Sequence, residues 1–483
     1  MRVFLGIDTG TSVIKGHAID ETGHTCAHVS AAHDPVAGSN QKGVSDPEVW
    51  WREWSHLCTD LVNRLPPTAE VACIVSTAMV PNVCLLDAAG AAIAPPLLFY
   101  DDRAYDIERR LDEELRSGRW QNEVLSKLMW QRRSSGSLAL EGAHFVTTHS
   151  YIALRLTGIA GDTRISNPTL DTVTAAETGS IYVPAASWNT ELLARYGLGG
   201  LRMPEVVAPT SIVGTVTAEA AAETGLREGT PVVAGTSDSI ASLIGAGARQ
   251  EGDILVYYGT FNCAARLNAS MDRVLSGGYR RYPIDWLTSV PRAGHQIRDM
   301  ANMLFPGSTP YGDFDAAAAT SSPGANGLIF LQDVDLLDTT VSSNPHAALL
   351  NYQIGHTAAD IARAALESFA YALTVTLEDE GTPLPLLPDE LLAGGGGARS
   401  GTWRQVVTDV LDRPQRYVRH SDRGHGSALL ALASSDDEAF EAAMTRLLKD
   451  AEVVHPSGDG PRYVSSLSHY REALGRLREV RSW

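Results

Sequence analysis

An α/β protein made of two duplicated lobes is the fold that this sequence predicts, on three observations. Apolar strand-like runs alternate with helix-like segments along all 483 residues, the pattern of layered α/β domains. An apolar strand, a Gly-Thr turn and a return strand open the chain as VFLGIDTGTSVIKG, Val3 to Gly16, and recur as DILVYYGTFNCAARL, Asp253 to Leu267. The two hairpins stand about 250 residues apart, as duplication of a lobe requires. Chance recurrence of a common hairpin is the competing reading. The composition, 44% hydrophobic and 20% charged, is that of a folded globular protein. The expected lobes are residues 1–248 and 249–483.

In chain order, VFLGID, VIKGHAID and HTCAHVSAA read as a strand meander. Asp46-Pro47 then starts a helix carrying Trp50, Trp51, Trp54, Leu57 and Leu61 on one side, since aspartate caps and proline suits the first turn. VACIVST is a buried strand, followed by VCLLD and a turn at Ala88-Ala89-Gly90. Tyr105 to Arg133 is charged and helical. Asn167 to Ser187, rich in Thr, Ala and Ser, is expected as loop and short strand. Thr230 to Ala248 reads as strand, glycine turn and small-residue helix, and Ala358 to Leu377 as a buried or amphipathic helix. After a Pro-rich link, Gly394 to Gly397 end a strand before a helix with Trp403, Val406, Val407 and Leu411. Helices around Ala439–Leu448 and Ser465–Arg478 complete the chain.

A net charge of −18 argues against nucleic acid as partner, because a phosphate backbone requires a positive surface. No apolar run is long enough to span a membrane, and no leader pattern opens the sequence. Five cysteines, Cys26, Cys58, Cys73, Cys84 and Cys263, show no CxxC spacing. That suits reduced thiols in a cytoplasmic protein and offers no metal site.

Three glycine turns carry the chemistry. In Thr9-Gly10-Thr11-Ser12 the glycine lets backbone N–H groups approach phosphate oxygens and the hydroxyls add donors. Asp8 beside them would repel phosphate unless a cation lay between, which points to Mg²⁺ with a nucleotide. Gly259 and Thr260 are the matching turn of the second hairpin. Gly394 to Gly397 allow a backbone to lie against an adenosine. Each turn is equally compatible with plain fold punctuation. No Walker or GxGxxG signature is present. Asp238, in Gly235-Thr236-Ser237-Asp238-Ser239, reads either as a helix cap or as a general base that takes a hydroxyl proton during attack on a γ-phosphate.

The motifs GIDTGTS (6–12), LLFYDDRA (97–104), SKLMW (126–130), PVVAGTSDS (231–239), YYGTFN (257–262) and GGGGARSGTWRQVVTDVL (394–411) together resemble the FGGY carbohydrate kinase family, within the actin/hexokinase/heat-shock-70 superfamily. They span nearly the whole chain in family order. The resemblance implies two ribonuclease-H-like lobes around a central cleft, with sugar deep in the cleft and MgATP mainly on the second lobe. It implies Mg²⁺ held through water by Asp8, with Thr9, Gly10, Thr11 and Ser12 at the γ-phosphate and Gly259 and Thr260 at the second phosphate turn. Gly395, Gly396, Gly397 and Ala398 match the adenosine loop, and Asp238 matches the catalytic base. Asp101 and Arg103 match the segment whose aspartate holds sugar hydroxyls.

Departures from the family bear on substrate. Thr77-Ala78-Met79-Val80-Pro81-Asn82 stands where xylulose kinases carry a GQMHG-like sugar segment, and of it Met79 is assigned to the sugar. Residues 327–343 lack the usual Gly-Glu-Arg-x-Pro stretch, and 288–300 lack a common tryptophan. LLFYDDRA is closer to ribulose-kinase-like members than to glycerol kinases. The expected activity is ATP-dependent phosphorylation of a ketopentose such as xylulose or ribulose. The alternatives are another sugar or polyol, a nucleotide-driven clamp, and a silent sugar sensor. A homodimer is the family's common assembly. Trp130 and Trp403 are expected in packing, Asp409 as a solvated or structural acid, and His295, Asp162 and Asn167 as further candidates near the sugar.

Overall fold

The computed structural model of the chain describes all residues except 34–44, 118–120, 135–139, 159–167, 184–186, 260–261, 280, 291–292, 308, 333–346, 380, 383, 420 and 481–483. It divides into two compact units. The first holds Met1–Arg249, Ala269–Pro283 and Ser421–Lys449; the second holds Gln250–Asn268, Ile284–His420 and Asp450–Trp483. A single cut after residue 248 therefore misassigns two later segments, which fold into the first unit.

In the first unit β1 (Arg2–Thr9), β2 (Val13–Asp20) and β3 (Thr25–Ala32) form the expected meander. Helix α1 (Pro47–Asn63) follows, its N-cap Asp46 accepting a hydrogen bond from Glu48 N. Trp50, Trp51, Trp54, Leu57 and Leu61 are all buried on it. The next strands are β4 (Glu70–Ala78), β5 (Ile212–Thr215) and β6 (Pro231–Ser237), and helix α2 (Asp238–Ala246) leaves β6 at once. The sheet order is β5–β6–β4–β1–β2–β3, with β1, β4 and β6 parallel and β2 antiparallel to β1.

The second unit repeats this plan. Its hairpin is β7 (Ile254–Tyr258) and β8 (Asn262–Leu267), flanked by β9 (Ile284–Val290). Helix α3 (Ala358–Asp379) is buried along most of its length. Strand β10 (Leu391–Gly394), helix α4 (Gly401–Leu411) and strand β11 (Gln415–Tyr417) follow, and β12 (Glu452–Val454) closes the sheet. The order is β9–β8–β7–β10–β11–β12, and β7 again pairs antiparallel with its hairpin partner and parallel with the strand on its other side. Each unit is thus a hairpin extended by parallel crossover strands, which is the duplication that the two Gly-Thr hairpins imply.

Three segments differ from the sequence reading. Tyr105–Arg133 forms two helices, Tyr105–Leu115 and Glu123–Ser134, because Arg116 turns left-handed at φ 52°. Within Asn167–Ser187 a helix, Thr172–Glu177, starts where Asp171 accepts from Val173 N and Thr174 N. That cap satisfies the first turn's orphan donors and lets the small residues become helical. The third is a helix absent from the reading, α5 (Arg423–Ala433), in the chain segment that returns to the first unit.

Close approach of backbones explains how α5 is seated. A Cβ on Gly6 of β1 would lie 2.0 Å from Ala428 N, and one on Gly426 would lie 1.9 Å from Ala241 O of α2. Only glycine permits crossings so near.

Candidate active site

The first unit assembles its charged site at the ends of β1, α2 and α5. Asp8, at the end of β1, is 1% exposed. Its Oδ1 accepts from Thr77 Oγ1 at 2.9 Å, and Thr77 Oγ1 lies 2.6 Å from Ser427 Oγ on α5. Asp238 is the first residue of α2, behind the N-cap Ser237. Arg423 is the first residue of α5, and its Nη1 lies 2.7 Å from Asp238 Oδ2. Arg423 Nε also donates to Ser242 Oγ at 3.1 Å, one turn along α2. The Cβ position of Gly10 lies 3.7 Å from Asp8 Oδ2 and 3.8 Å from Arg423 Nη1. Asp8, the Thr9–Ser12 turn, Asp238 and Arg423 therefore share one locus.

Its electrostatics follow from burial and mutual charge. Burial pushes the Asp8 carboxyl up to about 7; Arg423 and Lys15 pull it down while the Asp238 charge pushes it up. Burial also raises Asp238 above the usual carboxylate range, against the opposing pull of Arg423. Asp422, the N-cap of α5, meets Lys15 Nζ at 3.1 Å and His17 Nε2 at 3.2 Å. Although burial would raise Asp422, these two partners hold it well below the usual carboxylate range. Asp422 thus pins the start of α5, and with it Arg423, to β2.

A second polar network lies beneath Asp238. His149 Nε2 is 3.0 Å from Asp171 Oδ2, and both side chains are fully buried. Asp171 Oδ1 accepts from Thr236 Oγ1 at 2.8 Å. Burial lifts the Glu177 carboxyl to about 8; the hydrogen bond from Tyr282 opposes this, and the Asp171 and Asp238 charges add to it. Glu177 is partly exposed as a residue, yet its Oε2 is shut off from solvent and has no partner among the described residues. Thr172 Oγ1, Thr174 Oγ1 and Tyr279 OH are shut off from solvent as well, with Thr172 and Tyr279 close enough to act on each other. Buried polar atoms left unpaired are costly, and such a set suits a polyhydroxylated ligand.

The other candidates fall out as follows. Asp101 and Arg103 pair with each other, Arg103 Nε lying 2.9 and 3.1 Å from the two Asp101 oxygens. The Arg103 guanidinium stacks 4.6 Å from the Trp130 ring centroid, so Trp130 does more than pack. Met79 is 1% exposed within the apolar core around β1 and α1, and its N–H donates to Thr9 O at 3.1 Å. Its side chain is spent on packing. Asn82 is likewise fully engaged, with Met79 O, Thr148 Oγ1 and Phe99 N. Asp162, Asn167 and Thr260 lie outside the described residues.

In the second unit Gly259 follows β7, and Gly395 and Gly397 pack on Tyr258 and Trp403. A Cβ on Gly395, at φ +90°, would lie 2.5 Å from Tyr258 O, and one on Gly397 would lie 2.6 Å from the Trp403 ring. Gly396 meets nothing within 4 Å. Two of these glycines are accordingly required by the fold, whereas Gly396 offers an open backbone face. Ala398 is fully buried. Trp403 is a core residue whose Nε1 donates to Leu366 O. Asp409 is structural, accepting from Ser457 N at 2.6 Å and Ser457 Oγ at 3.0 Å. His295 lies half-buried on the helix Ala293–Leu304.

Arg423, Asp422, Ser427 and Glu177 are the site residues that sequence reasoning missed. The available signal was Ser-Asp-Arg ahead of the small, apolar run SALLALA, a capped buried helix. Asp-Thr-Val-Thr-Ala-Ala-Glu was the corresponding signal for Glu177.

Among the described residues no helix is long and apolar enough to cross a membrane. The N-terminal-domain model of the FGGY family of carbohydrate kinases matches residues 3–245, and the C-terminal-domain model matches residues 281–435. Xylulose kinase of Bacillus subtilis is 22% identical over 487 residues, spanning 97% of this chain and 95% of that protein. The solved ligand-bound xylulose kinase of Lactobacillus acidophilus has a TM-score of 0.79 at 21% identity, covering 99% of both chains. The gluconate kinase of the same organism has a TM-score of 0.77 at 20% identity, covering 99% of this chain and 98% of that one. At such identities the solved structures show a shared fold, and the family models, which take in most of the chain, show more: the protein belongs to the FGGY family of carbohydrate kinases, which use ATP to phosphorylate sugars.

Proposed function

We propose that the sugar is a ketopentose such as xylulose or ribulose, and that Asp238 is the base. The observation that carries the reading is the meeting of Asp8, the Gly10 turn and Asp238 in one locus. A sugar hydroxyl oxygen attacks the γ-phosphorus of ATP, its proton passes to Asp238, and the bond from phosphorus to the ADP oxygen breaks. The Thr9–Ser12 turn directs backbone and hydroxyl donors to the transferred group. Glu177, held neutral near pH 7 by its raised pKa, donates to a sugar hydroxyl, and the Thr172, Thr174 and Tyr279 hydroxyls surround the remainder. In the second unit the open backbone face at Gly396 takes the adenosine.

Asp8 fits Mg²⁺. It is a hard oxygen donor with one oxygen held by Thr77 and the other toward Gly10, and a lone carboxylate suits a metal that keeps most of its waters. When bound, the ion supplies charge neutralisation on the phosphate oxygens.

The names of the related xylulose kinases favour a ketopentose. The gluconate kinase on the same fold makes sugar acids the comparison that matters. The experiment is ADP production with MgATP across ketoses, aldoses, polyols and sugar acids. A pentulose should respond most strongly, and Asp238→Asn should fold normally while losing turnover by several orders of magnitude. A sugar acid or polyol as the sole strong responder would replace the substrate assignment. Near-normal turnover in Asp238→Asn would remove Asp238 from the mechanism.

A further inference from the structure

We propose that Arg423 is a catalytic arginine that exchanges the Asp238 carboxylate for the transferring phosphoryl group. The inference rests on the assignment of Asp238 as the base. Its guanidinium stands between the two places where charge changes. Nη1 is 2.7 Å from Asp238 Oδ2 and 3.8 Å from the Cβ position of Gly10, at the phosphate turn. Protonation of Asp238 removes the anion that Arg423 faces. At that moment negative charge is being redistributed over the equatorial oxygens of the phosphoryl group, which become the nearest anion for the same cation. A guanidinium with five N–H donors can hold both partners in turn.

The placement is built rather than incidental. Arg423 opens α5, a helix whose N-cap Asp422 is tied to Lys15 and His17 of β2. Its Nε is anchored on Ser242. The crossings at Gly6 and Gly426 bring the α5 backbone to within touching distance of β1 and α2. A surface ion pair needs none of these supports, and Arg423 and Asp238 are only 24% and 14% exposed. The guanidinium geometry matters because lysine, a point charge, reproduces the attraction but not the fork.

The test compares the full-length wild type with Arg423→Lys, Arg423→Gln, Arg423→Ala and Asp238→Asn, using MgATP and the sugar of highest turnover. Arg423→Gln should lower kcat about 100-fold or more while sugar KM moves only a few-fold and the melting temperature stays close to wild type. Added guanidinium should restore part of kcat in Arg423→Ala, which a merely structural ion pair would not allow. Retention of kcat within about threefold in Arg423→Gln, or failure of guanidinium to rescue a folded Arg423→Ala, would overturn the proposal. Should Arg423→Ala and Arg423→Gln fail to fold, Arg423→Lys decides, since a folded enzyme with full kcat refutes the role and one with depressed kcat supports it. An active Asp238→Asn would overturn the base assignment instead, so the two failures are distinguishable.

Discussion

A carboxylate as enclosed as Asp8 is poorly suited to stability. Its folded pKa of about 7 stands above the ordinary 3.8, so between these values the folded state keeps a proton that the unfolded state has lost. Stability contributed by this group therefore falls as pH rises through that window and levels off above about 7. We expect Asp8→Asn to stabilise the ligand-free protein by about 2–4 kcal/mol at pH 8, and by progressively less toward pH 4. Urea unfolding at several pH values checks this, and a gap independent of pH would refute it. The same substitution should abolish Mg²⁺-supported turnover, which separates what the residue costs the fold from what it gives the site. Asp238 shows a related compromise. Sequence alone left it as a cap or a base; in the structure Ser237 is the cap, which leaves the Asp238 carboxylate facing Arg423.

At the scale of elements, α5 determines the site. The helix arrives from the far end of the sequence, and its seat depends on residues with no side chain to interfere. Gly426→Ala would force a Cβ to within 1.9 Å of Ala241 O, a backbone atom that cannot rotate away. We expect a loss of about 1–3 kcal/mol or more in stability, measured by urea unfolding. A fall in kcat should accompany it in the folded fraction, because the displaced helix carries Arg423 with it. Unchanged stability in Gly426→Ala would contradict the crossing. The glycine run Gly394–Gly397 illustrates the same economy. Gly395 and Gly397 answer to Tyr258 and Trp403, whereas Gly396 faces open space, so a glycine run legible in sequence as one motif has members with different duties.

At the scale of the whole molecule, two units of the same strand order present different groups at corresponding turns. In the first, the hairpin turn meets two carboxylates and an arginine; in the second, the glycine loop lies beside Tyr258 and Trp403. Hydrogen–deuterium exchange should therefore show ADP slowing exchange most in Gly394–Leu411, and the sugar slowing it most in Thr169–Glu177 and Pro231–Ala246. Protection by ADP confined to the first unit would refute the division.

The sequence by itself determined the class, the duplicated hairpins, the α1 and α3 helices and the motifs that place the chain among carbohydrate kinases, because apolar periodicity, capping residues and glycine turns are local signals. It also singled out Asp8 and Asp238 as candidates by their neighbours in sequence, Asp238 as either a helix cap or a base. Only the tertiary structure decided that residues 421–449 belong with the first unit, that Arg423 faces Asp238 and that Met79 is packed in the core. Each of these depends on contacts between segments distant in the chain, Arg423 and Asp238 being 185 positions apart, and no local periodicity encodes which backbone a glycine will let another approach.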